Sequence, residues 1–127
     1  MEGRAKAKET GGIIMGETEV AVSTTCDSSG TIFNKIRQTL YIGSPNDTRK
    51  LNDGYREKVK RWAREHMNGG YTWTEGKGYW GDNEEETIIL TYLNTETIPI
   101  GHIRELSNLL EQQCIMVTAE EVTARFI

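Results

Sequence analysis

The sequence is short of the residues that metal and thiol chemistry require. Its 127 residues hold two cysteines, Cys26 and Cys114, and two histidines, His66 and His102. Neither cysteine belongs to a CxxC pair, and no HExxH or HxH spacing places two ligands on one metal. Two isolated thiols suit a reducing compartment. No serine stands in a nucleophile elbow, and neither cysteine carries a local catalytic signature. No run approaches the ~20 apolar residues of a spanning helix. Met1–Gly16 has no apolar stretch of signal-peptide length, so the expected location is the cytoplasm. Positive charge is scarce as well: 15 Lys and Arg face 19 Asp and Glu, a formal net charge of -4. That balance argues against a general coat for DNA or RNA. A small anion needs only two or three placed cations, so it is not excluded.

What is present fits one globular α+β domain, with 36% hydrophobic and 27% charged residues. Residues 1–17 are rich in Gly, Lys and Glu without periodicity and read as a flexible tail, leaving 18–127 as a single domain. Glu19–Thr25 alternates weakly, as a short strand or arm. Ile36–Ile42 alternates cleanly, with Ile36, Gln38, Leu40 and Ile42 on one face. Asn52 or Asp53 can cap a helix running to about Met67, whose inward stripe is Tyr55, Val59, Trp62, Ala63 and His66 or Met67. Tyr71–Thr74 and Tyr79–Trp80 read as strand segments around Glu75-Gly76-Lys77-Gly78, and Glu86–Leu93 as the strongest strand. A second helix covers about Gly101–Gln113, continuing an apolar side on which Cys114 sits. Ile115–Thr118 and Val122–Ile127 are strand-like. Strand, helix, strand, strand, helix, strand is the order of a ferredoxin-like, mostly antiparallel four-stranded sheet with two helices on one face and an N-terminal arm.

Several patterns could hold an anion, and each has a plainer reading. Gly76-Lys77-Gly78 lacks the Walker spacing and reads as a hairpin turn or bulge. The acidic run Asp82, Glu84, Glu85 and Glu86 reads as a solvated turn. Arg56, Lys60 and Arg64, at i, i+4 and i+8, form a cationic helix stripe that is either an anion site or a solvated face. Arg104 and Asn108 lie one turn apart near the start of the second helix, where the dipole favours phosphate; the alternative is an exposed arginine. Tyr71, Trp73, Tyr79 and Trp80, interleaved with Lys77, suit purine stacking or core filling.

Leu40-Tyr41-Ile42-Gly43 before a helix, Gly69-Gly70-Tyr71-Thr72-Trp73, Gly78-Tyr79-Trp80-Gly81, Glu86–Leu90 and Gln113–Val117 together carry a likeness. Over about residues 36 to 127 the chain resembles the first-described class of phage anti-Thoeris proteins, which sequester nucleotide second messengers made by bacterial TIR-domain enzymes. The resemblance implies a protein that is not an enzyme and needs no cofactor. It implies homodimers, in some members assembled into hexamers, enclosing cyclic ADP-ribose isomers at the dimer interface and releasing them intact. The implied pocket draws on Tyr71, Trp73, Trp80, Thr91, Arg104 and Asn108, with Trp80 or Trp73 as the aromatic and Arg104 as the phosphate ligand. Where that family offers a pair of arginines on the second helix, this chain has Arg104 followed by Asn108 and Glu111. Arg56, Lys60 and Arg64 are then candidates for a separate cyclic-oligonucleotide site. Two other readings stay open: an interaction domain that oligomerises through an open sheet face, and a cyclic-nucleotide phosphodiesterase.

Overall fold

The computed structural model describes residues 31–127, so the expected tail over 1–17, the arm over Glu19–Thr25 and Cys26 lie outside it. Strand β1 spans Ile32–Gly43, starting earlier than the clean alternation of its second half. Gln38, Leu40 and Ile42 are buried along one face. Helix α1, Asp53–His66, begins at Asn52, whose side chain accepts from the Tyr55 N–H at 2.9 Å. That bond satisfies one donor the first helical turn leaves unpaired. Tyr55, Val59, Trp62 and Ala63 fall on one stripe and are buried, with Met67 just beyond.

Strands β2 (Thr72–Trp80) and β3 (Asn83–Asn94) form an antiparallel hairpin from Thr72 opposite Thr91 to Trp80 opposite Asn83. The reversal occurs at Gly81-Asp82, with Gly81 at φ 63°, as a two-residue turn with glycine first requires. Gly76-Lys77-Gly78 is therefore not the turn. These residues lie in mid-strand opposite Thr87, Glu86 and Glu85. Both glycine clusters carry turn residues; the reversal falls at the turn-like Gly81-Asp82-Asn83, and Gly76-Lys77-Gly78 stays in register within the strands.

Helix α2 covers Ile100–Leu109 and stops short of Gln113. Glu111 takes φ 58°, and its N–H bonds Asn108 O at 3.1 Å while the Gln112 N–H bonds Ser107 O at 2.9 Å. This pair of bonds is a Schellman ending with glutamate where glycine is usual. Cys114 consequently lies beyond the helix and is exposed rather than on an apolar helix side. The last strand, β4, is continuous over Met116–Arg125. Ala119-Glu120-Glu121, which separated two expected segments, holds no breaker, and Glu120 Oε2 accepts from Arg37 Nη2 at 2.7 Å.

The sheet order is β2-β3-β1-β4, the ferredoxin-like arrangement that the element order predicts. The described chain divides into two units. One, comprising 37–93 and 97–120, holds the core: Leu40 and Ile42 from β1, Ile88, Leu90 and Tyr92 from β3, the α1 stripe, and Ile98, Leu106 and Leu110. Trp62 Nε1 donates to His102 O at 2.9 Å, tying α1 to α2. Gln38 is polar yet only 4% exposed, and its Oε1 accepts from the Ile98 N–H at 2.9 Å. The other unit includes 31–36, 94–96 and 121–127. There Phe33 and Phe126 meet at 6.1 Å between ring centroids, and Lys35 Nζ lies 5.5 Å from the Phe33 ring. Burial lowers the Lys35 pKa. Among the described residues no helix is long and apolar enough to cross a membrane.

Candidate functional site

Side chains alternate along a strand, so the unbroken register of the hairpin fixes which face each residue serves. Trp73, Glu75, Lys77 and Tyr79 share the face of Ile88 and Leu90, toward the helices. Gly78 and Trp80, with Glu85, Thr87 and Thr91, lie on the other. The acidic run is split the same way. Glu84 pairs with Lys77 at 3.0 Å, Glu86 Oε1 accepts from the Leu51 N–H at 2.6 Å, and Glu85 accepts from Trp80. Glu84, Glu85 and Glu86 thus each answer a named partner, while Asp82 and half of Glu84 remain exposed at the turn, where a solvated acidic run is expected.

A shallow, half-open concavity lies at the turn end of the hairpin. A cavity of about 190 Å³ is lined by Asn46, Arg49, Trp80, Asn83 and Glu85. Trp80 is 56% exposed, and its Nε1 donates to Glu85 Oε2 at 2.8 Å, which fixes the ring by one edge. Gly43 makes this possible, because a Cβ there would stand 2.7 Å from Glu85 Oε2. The opposite wall is the loop after β1. It is stitched to Glu86 by Ser44 N–H to Glu86 O at 3.1 Å, Glu86 N–H to Arg49 O at 3.0 Å, and the Leu51 bond. Arg49 adopts φ 58°, a left-handed conformation that costs a non-glycine residue about 1 kcal/mol and persists only where surrounding bonds impose it. Its N–H bonds Pro45 O at 2.8 Å. Among the described residues its guanidinium forms no ion pair.

Behind the loop, Tyr55 donates its hydroxyl to Gly43 O and accepts from Gln112 Nε2 at 3.1 Å, while the same amide nitrogen donates to Ser44 O at 2.9 Å. Burial pushes the Tyr55 pKa up to about 12. The start of the loop is thus clamped by α1 and by the segment following α2.

The expected cationic stripe meets a different fate. Arg56 forms a two-pronged bond to Glu75, Nε to Oε2 at 2.9 Å and Nη2 to Oε1 at 3.1 Å, and pairs with Asp53 at 3.3 Å. Trp73 Nε1 also donates to Glu75 Oε2 at 3.0 Å, and Lys60 Nζ lies 5.7 Å from the Trp73 ring centroid. Arg64 pairs with Glu57 at 3.3 Å. The chain's own carboxylates take up Arg56 and Arg64, and the Arg56 hydrogen bond holds the Glu75 pKa below the usual carboxylate range.

The residues expected to share one pocket are not gathered within one chain. Trp73 joins Lys60 and Glu75 on the helix side, and Tyr71 is half-buried against the core. Thr91, opposite Thr72, is at the far end of the hairpin from Trp80, ~27 Å along the strand. Arg104 and Asn108 are exposed on α2, which packs on the face away from Trp80. Sequence reasoning did not single out Asn46, Arg49 or Asn83 and took Glu85 only as part of the acidic run. Nor did any motif spacing join His66 to His102, whose rings lie 4.4 Å apart.

No family model matches the chain, and no curated protein matches it. Solved structures similar to it include a phage SAM lyase in complex with S-methyl-5′-thioadenosine (TM-score 0.49, 10% identity, covering 72% of this chain and 89% of that one). Another is CPII, a nitrogen regulatory PII-like protein from Thiomonas intermedia K12 bound to ADP, AMP and bicarbonate (TM-score 0.47, 10% identity, 74% and 96% covered). A third is a putative PII-like signaling protein from Thermus thermophilus (TM-score 0.43, 19% identity, 73% and 90% covered).

Proposed function

We propose that this chain binds a small anionic nucleotide of the cyclic ADP-ribose kind and holds it without cleaving it, as its resemblance to the anti-Thoeris proteins implies. One observation carries the reading: the exposed indole of Trp80, held at its edge by Glu85, shares a cavity with Arg49, which forms no ion pair among the described residues, and with the amides of Asn46 and Asn83. A ring fixed at one edge offers its face to a purine at little entropic cost, and stacking contributes about 1–3 kcal/mol per base. The guanidinium suits a phosphate oxygen. The second oxygen of Glu85 suits a ribose hydroxyl.

At about 190 Å³ the cavity is smaller than the ~300–1,000 Å³ of most small-molecule sites. It accommodates part of such a ligand, and a homodimer supplies the remaining wall. Arg104 and Asn108, exposed on α2, are groups that a second copy can bring to it. In this proposal Arg56, Lys60 and Arg64 are not the principal phosphate site, because Glu75 and Glu57 already meet two of them.

Calorimetry with purified cyclic ADP-ribose isomers tests the reading. Trp80→Ala is expected to weaken binding by about 5- to 150-fold, the equivalent of about 1–3 kcal/mol. Arg49→Glu and Arg104→Glu should each weaken it without unfolding the protein. Unchanged affinity in Trp80→Ala and Arg49→Glu would reject the site. Recovery of hydrolysed nucleotide after denaturation would instead favour an enzyme.

A further inference from the structure

We propose that His66, His102 and Glu105 form a binding site for a borderline divalent cation of the zinc class, joining the end of α1 to the start of α2. His66 closes α1, and His102 and Glu105 are one turn apart near the start of α2. Their ligand atoms all lie within 4.8 Å of one another. Glu105 Oε1 stands 3.5 Å from His102 Nδ1 and 4.0 Å from His66 Nε2, and Glu65 Oε1 lies 3.8 Å from the same His66 nitrogen. Ligands about a tetrahedral Zn²⁺ stand roughly 3.3 Å apart, given metal–ligand distances of about 2.0–2.1 Å. Modest side-chain rotations close the difference.

A second observation points the same way. The His102 side chain is 44% exposed, yet its Nδ1 is shut from solvent and makes no hydrogen bond. A solvent-excluded ring nitrogen that makes no hydrogen bond, with only the Glu105 carboxylate near it, is costly unless something satisfies it, and a bound ion shared with that carboxylate would do so. The surroundings are built rather than incidental. Trp62 packs against His66 at a tilt with ring centroids 5.0 Å apart, His66 likewise against His102 at 4.4 Å, and Trp62 Nε1 donates to the His102 carbonyl at 2.9 Å. Two imidazoles with one or two carboxylates suit Zn²⁺, Ni²⁺ or Cu²⁺ over Mg²⁺ or Ca²⁺, which prefer oxygen-only shells. Because the ligands come from two helices, the ion would brace their junction.

The test is calorimetric titration of the full chain with ZnCl₂ in the presence of excess Mg²⁺, with Ni²⁺ quenching of Trp62 fluorescence as an independent readout. One Zn²⁺ per chain, with a rise in melting temperature, is expected. His102→Gln should weaken binding by at least about tenfold, since loss even of outer-shell partners costs ~10–100-fold. His66→Phe keeps the ring packing on Trp62 while removing a ligand; it should remain folded by circular dichroism yet lose the Zn²⁺-dependent rise. Absence of Zn²⁺ binding, or equal affinity in the wild type and both folded variants, overturns the proposal.

Discussion

Trp80 and Gln38 show how single side chains divide the work. The indole is tethered through one atom and otherwise open, so its orientation depends on Glu85 rather than on the core. Gly43→Ala should therefore disturb Trp80 more than the fold, because the added carbon meets the mobile end of Glu85. A change in Trp fluorescence with a stability loss below about 1 kcal/mol would show this. Gln38 is the opposite case, a buried amide answering the backbone of Ile98. Gln38→Leu leaves that N–H unpaired and is expected to cost about 1–3 kcal/mol in urea unfolding. Tyr55 adds a pH signature. Its folded pKa of about 12 exceeds the ordinary value of 10.0, so its contribution is full below pH 10 and is lost as pH rises through 12. Alkaline spectrophotometric titration should show one tyrosine ionising late, together with falling stability over that window.

Elements were legible where a single periodicity governed them. The Tyr55, Val59, Trp62, Ala63 stripe was readable because helix burial repeats at fixed spacing, while the cap, left between Asn52 and Asp53, is Asn52. The end of α2 was not, since its Schellman bonds use Glu111 in a glycine's conformation and the apolar pattern runs past the true stop. Glu111→Gly should relieve that strain and stabilise the protein by about 0.5–1 kcal/mol in urea denaturation. In the hairpin, Gly76-Lys77-Gly78 looked like a turn because composition carries no register. Only the pairing of Lys77 with Glu86 across the strands places it in the sheet. The junction of α1 with β2 carries an acid-sensitive tie: Arg56 keeps the Glu75 pKa below 4.5, so the stability it lends is present above that value and is lost as pH falls through the lowered pKa. NMR titration should find Glu75 ionising below the exposed glutamates, and Arg56→Ala should return it toward them.

For the whole molecule, six elements in order were enough to give the sheet β2-β3-β1-β4, because hairpin and crossover rules leave few alternatives. The candidate site was less legible. Strand alternation puts Trp73 and Trp80 on opposite faces, a fact the aromatic-rich segment hides unless its residues are known to be one unbroken strand. Arg49 gave no signal at all, since what nominates it is a left-handed loop position lining the same cavity as Trp80 and not any motif. Candidate groups drawn from a loop, a turn and two strand ends leave no motif spacing to read.

Native mass spectrometry after incubation with a cyclic ADP-ribose isomer tests the central claim most directly. The wild-type protein should carry the unaltered mass of that nucleotide, and the Trp80→Ala variant should carry little or none under the same conditions. A bare wild-type protein, or one bearing a cleavage product, would contradict the account.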